Sequence, residues 1–149
     1  MNAAFATLHH IAAFALVGSL FVEFALIREA ISVTIARKLQ ITDAIFGASA
    51  SIVLIAGLAR VFYFEKGTDY YFSNGPFWAK MVLFIIVGCL SVYPTKEFLS
   101  WRQATKLGHT PEVAPGKVPK LRLVISLEII TMALLIFCAA LMARGVGSF

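Results

Sequence analysis

FATLHHIAAFALVGSLFVEFALI, residues 5–27, is the stretch that decides the fold. A helix rises 1.5 Å per residue, and about 20 mostly apolar residues cross the hydrocarbon of a bilayer, so this run is long enough to span. A cleaved secretory signal is the competing reading. No basic segment precedes the run, His9 and His10 stand where one would lie, and no small-residue cleavage site comes before Arg28-Glu29. The run therefore reads as a retained helix.

Three further apolar runs follow. Residues 44–64 form the second, with Thr42-Asp43 placed to cap its first turn and the polar turn EKGTD at 65–69 to close it. Its small residues Gly47, Ala48, Ala50, Ser51, Ala56 and Gly57 suit close helix contact, which matters where lipid removes the hydrophobic drive between helices. The third, residues 77–99, opens on Pro76-Phe77-Trp78, and Pro94 is expected to kink it or end it early. Gly108, Pro111, Pro115, Gly116 and Pro119 mark residues 105–120 as the one substantial loop. Residues 121–142 make the last span, and Gly145 and Gly147 end it. The expectation is an all-α, integral membrane four-helix bundle in a single domain covering residues 1–149.

Composition agrees. At 60% hydrophobic and 14% charged residues, with thirteen Phe, the chain has too few charges to cover a water-facing surface. The formal charge of +5 is scattered between apolar runs and makes no basic patch with interleaved aromatics, so no nucleic acid is expected as a partner. Cys89 and Cys138 fall inside apolar runs and carry no disulfide or metal signature.

The basic residues instead report orientation. Arg28, Arg37 and Lys38 follow span one, and Lys96, Arg102, Lys106, Lys117, Lys120 and Arg122 surround the loop after span three, nine in all against Lys66 and Arg144 at the other end. The positive-inside rule places the nine in the cytoplasm and both termini on the non-cytoplasmic side. Tyr70, Tyr71, Phe72, Phe77 and Trp78 then form an outer aromatic belt.

Six ionisable residues lie within the spans: His9, His10, Glu23, Arg60, Lys80 and Glu128. Such a group costs about 2.5–3.5 kcal/mol on insertion scales, which makes each a candidate for function. His9, His10, Arg60 and Lys80 share a depth in the outer leaflet, about a turn from their span ends. Two neutral imidazoles beside two cations suit an anionic guest, and haem b is one, with iron for an imidazole and propionates for the cations. Adjacent helix residues point about 100° apart, so one histidine must be chosen; His9 lies within about 40° of Glu23 around the helix, and His10 points nearly the other way. By the same arithmetic Lys80 and Ser91 share a face, as do Glu128, Met132, Leu135 and Met142, which brings Met142 near the outer surface as a possible sixth iron ligand.

Plainer readings stand beside these. Arg60 and Lys80 can snorkel to headgroups, His9 can be a hydrogen-bonded packing residue, and Glu23 can pair with Arg28 or be solvated. Glu128, about two turns inside the cytoplasmic end, is expected to be protonated, hydrogen-bonded or paired within the bundle.

Leu8-His9-His10 in span one, Trp78-Ala79-Lys80-Met81 opening span three, and Arg122 with Glu128 in span four resemble the HemJ-type protoporphyrinogen oxidases. The resemblance implies b-type haem and oxidation of protoporphyrinogen IX in the bacterial inner membrane; Ser126-Leu127-Glu128 stands where that family has Asn-Glu-Val-Pro. More closely, GLARVFYFEKG at 57–67 followed by Phe77-Trp78-Ala79-Lys80 is similar to a bacterial inner-membrane family designated domain of unknown function 2214, which implies four helices and no particular chemistry.

Three functions compete at this stage. The first is a haem-binding protein open to redox chemistry, with His9 as ligand and Arg60 and Lys80 beside the propionates. The second is a non-catalytic accessory or assembly subunit of a larger membrane complex, or a homo-oligomer. The third is a small transporter or proton path through Glu23 and Glu128. No nucleophile with its base and no metal cage is visible, which suits the second of these, and the sequence does not decide whether the protein is an enzyme.

Overall fold

A computed structural model describes residues 2–64 and 72–146. Four long helices dominate: α1 (Asn2–Leu26), α2 (Val33–Ala59), α3 (Gly75–Ser100) and α5 (Lys117–Ala143), with a short α4 (Arg102–Lys106) between the last two. α2 runs on as a π-helical turn over Arg60–Phe64. The polar turn at 65–69, Tyr70, Tyr71 and Gly147 lie outside the described residues.

α1 packs along α2 and α3 along α5, giving two antiparallel hairpins that meet mainly through α1 with α5 and α2 with α3. All four long helices are long and apolar enough to cross a membrane. The distribution of side chains demands one. Large apolar groups such as Phe14, Ile55, Ile85 and Phe137 face outward, while Glu23, Asp43, Glu97 and Glu128 are buried. In water that arrangement would expose an aggregating surface; in lipid the outer face is already solvated and the polar groups retreat inside.

Several local expectations need correction. α2 begins at Val33, eleven residues before Ala44, because Ser32 caps it: the Ser32 hydroxyl accepts the Ile35 N–H at 3.2 Å. Thr42 and Asp43 cap nothing. Thr42 donates its hydroxyl back to the Lys38 carbonyl at 2.8 Å, and Asp43 accepts the Thr95 hydroxyl at 2.7 Å. Pro94 does not end α3, which continues to Ser100 with Pro94 buried inside it. α5 starts at Lys117 and so contains Pro119 in its first turn, where the missing N–H has no intrahelical partner to lose. Asn74, fully buried, caps α3 by accepting the Phe77 N–H at 3.1 Å.

At the end where α1 and α3 finish, basic side chains bind helix C-termini. Arg122 donates from Nε to the Ile27 carbonyl at 3.1 Å, and Arg37 donates from Nη2 to the Thr105 carbonyl at 2.7 Å. The Ile27 carbonyl is one that a helix leaves without a partner at its C-terminal end, whereas the Thr105 carbonyl also accepts the Gly108 N–H at 3.2 Å. Lys117 Nζ reaches both oxygens of Glu97, at 2.9 and 2.8 Å, and the Trp101 indole N–H donates to the same carboxylate at 3.3 Å. Arg28 stacks its guanidinium 4.0 Å over the Phe24 ring and does not pair with Glu23.

Candidate functional site

At the opposite end, where α1 and α3 begin and α5 finishes, a cavity of about 410 Å³ opens among the four long helices. That volume lies within the roughly 300–1,000 Å³ range of small-molecule sites. His9 and His10 border it from α1, Arg60 from the π-helical turn, Lys80 from α3 and Met142 from α5. The remaining wall is largely apolar.

His9 is held across the helix interface. Its Nδ1 lies 3.1 Å from the Val53 carbonyl oxygen on α2. A carbonyl oxygen only accepts, so the proton must sit on Nδ1, and Nε2 keeps its lone pair. Gly57 makes room for the ring: a Cβ there would stand 3.3 Å from His9 Cε1. His10 behaves differently. Its Nδ1 is 2.6 Å from the Ala6 carbonyl oxygen, one turn back on its own helix, and its ring is exposed. The two imidazoles are 5.9 Å apart and nearly perpendicular. Both therefore border the cavity, contrary to the expectation that only one faces it, because an opening of this width accepts side chains 100° apart.

The π-helical turn changes how α2 ends at the cavity. The Arg60 N–H, at the junction of α2 with this turn, is shared between the Ala56 and Gly57 carbonyls. Single π turns of this kind occur often at functional sites. Lys80 Nζ stands 5.6 Å from the centre of the Phe77 ring. Phe77 is buried with Val61, and Met81 and Met142 pack on the pair, so Phe77 belongs to the cavity wall and not to a surface belt. Trp78 does face outward, stacked on Phe72.

Chemically, the cavity offers two imidazoles, two cationic side chains and methionine sulfur in apolar surroundings. Among the described residues no group of His, Cys, Asp and Glu could hold a metal ion unaided.

A family model described as Predicted membrane protein (DUF2214) matches residues 1–147. The chain belongs to that family. No curated protein and no solved structure matches it. Membership assigns this DUF2214 chain to membrane proteins and assigns no chemistry, so the cavity must be read from its own residues.

Sequence reasoning missed three features of this DUF2214 chain. Gly57 was visible only as one of several small residues, although Gly47 and Ser51 of the same set face outward. The Val53 carbonyl is a backbone group and carries no sequence signal. Asp43, read as a cap, is buried within electrostatic reach of Glu23 and Glu128, the two carboxyls singled out from the sequence.

Proposed function

We propose that the protein binds haem b in this cavity, with His9 Nε2 as iron ligand and with Arg60 and Lys80 beside the propionates. The observation that carries the reading is the His9 Nδ1 hydrogen bond to Val53, in a cavity that also presents two cations. Metal-ligating histidines generally donate their other ring N–H to a carbonyl or carboxylate, which sets the tautomer and the ring orientation. The residues fit the group: an apolar wall takes the macrocycle, Gly57 leaves space for the imidazole, and the cations suit a dianionic edge. Met142, on the wall supplied by α5, would offer a thioether as a further ligand to the iron. Bound there, haem supplies one-electron chemistry at its iron, and the protein's part is to ligate, orient and exclude water.

The excess of basic residues at the opposite end supports a location in the bacterial inner membrane with the cavity and both termini outside the cytoplasm. Absorbance of the purified protein, oxidised and reduced, tests the haem reading. A Soret band that shifts on reduction is expected after expression with ample haem. Absence of a band, with none restored by reconstitution, overturns the reading and leaves the accessory-subunit role.

A further inference from the structure

Beyond the floor of the cavity lies a second polar centre. The cavity reaches down to Leu16 and Val17 on α1 and to Met132 on α5. Glu128 stands one turn beyond Met132, and Glu23 six residues beyond Val17, about 9 Å along the helix axis. Asp43 joins them from α2. Buried Ser19 and Ser49 lie between the cavity and these carboxyls on α1 and α2.

Proximity alone would not make a site, but the hydrogen-bond state of the oxygens points to a ligand. Glu128 is 1% exposed and Glu23 2%. Both oxygens of Glu128 and Oε1 of Glu23 have no hydrogen-bond partner. Buried polar atoms are nearly always satisfied, so carboxyl oxygens left like this point to a group held in its neutral, protonated form. The charged groups in reach of Glu23 are Asp43 and Glu128, and Glu128 also has Asp43 in reach. From α3, Thr95 donates its hydroxyl to Asp43, and among the described residues no cation stands within electrostatic reach of the glutamates.

We infer that Glu23, Asp43 and Glu128 form an intramembrane proton-binding site, in which the two glutamates hold protons and Asp43 accepts the Thr95 hydroxyl beside them. Three unpaired carboxylates in a medium of low dielectric would repel one another and lose their hydration, whereas a proton removes the charge and supplies an O–H donor. A bound metal ion is the other way to neutralise such a group. Among the described residues no group of three or more His, Cys, Asp and Glu is arranged to hold one. The ligand is therefore the proton. This inference does not depend on what fills the cavity.

Infrared spectroscopy of the full chain in lipid nanodiscs tests it. At neutral pH a carbonyl-stretch band of protonated carboxylic acid is expected, moving in D₂O and moving again when glutamate is ¹³C-labelled. Glu23→Gln and Glu128→Gln, close in shape to the protonated acids, should each remove part of that band, and Asp43→Asn should leave its glutamate component in place. If either variant does not fold, the isotope shifts of the unaltered protein decide alone. A spectrum with no protonated-carboxyl band at neutral pH, or a band that does not respond to glutamate labelling, overturns the proposal. The haem reading is untouched by either result, since these spectra need no pigment.

Discussion

His9 and Val53, forty-four residues apart in the chain, are joined by a 3.1 Å hydrogen bond from the imidazole Nδ1 to the backbone carbonyl. The bond does two things at once. It ties α1 to α2, and it leaves Nε2 as the basic nitrogen in a cavity bordered by Arg60 and Lys80.

His9→Ala should abolish the Soret band of the purified protein, because an apolar cavity holds no substitute for a metal bond. His10→Ala should leave the band nearly unchanged, since that ring is hydrogen-bonded to its own helix and exposed. If His10→Ala proves to be the variant that loses the pigment, His10 replaces His9 as ligand. If neither variant alters the spectrum, the cavity does not hold haem.

Arg60→Ala and Lys80→Ala should each weaken haem binding by about 1.5–3 kcal/mol, the range for a hydrogen bond to a charged group. Haem titration of the apoprotein measures this. Snorkelling predicts another pattern, in which Arg60→Lys and Lys80→Arg are silent and neither alanine variant changes affinity.

Gly57→Ala sets two effects against each other. Alanine favours a helix over glycine by about 1 kcal/mol, yet its Cβ would press on the His9 ring from 3.3 Å. The expected result is a bundle no less stable to heat, with weaker haem binding and a shifted Soret maximum. Gly57→Leu should remove the pigment. Unchanged spectra for both would show that the His9 ring need not sit against α2.

Glu97→Ala should destabilise the bundle by about 1–3 kcal/mol in detergent unfolding, because it strands the buried Trp101 N–H. Lys117→Ala should cost less, since the lysine is partly exposed at 43% while its partner is at 10%. Equal losses from the two variants would mean that the ion pair, and not the indole contact, holds this end together.

Reporter fusions at Gly108 should read cytoplasmic, and fusions after Phe149 periplasmic. The reverse pattern would move the cavity to the cytoplasmic face.

The primary structure by itself determined that this chain lives in lipid and crosses it four times. Runs the length of residues 5–27, with so few charges, have no other stable solvent, and the constant helical rise then set the depth of His9, Arg60 and Lys80 before any contact was known. Helix rotation and pairing were not legible in the same way. In water a polar face and an apolar face disclose which side is buried, but here the lipid-facing side, with Phe14 and Ile55, is as apolar as the interior. Only the tertiary structure could therefore bring Asp43 to Glu23 and Glu128, seat the His9 ring on Gly57, and choose its tautomer through Val53. The start of α2 was also decided by a contact. Thr42-Asp43 is a sound cap in isolation, yet Asp43 binds Thr95 on α3, and the capping role fell to Ser32 eleven residues earlier.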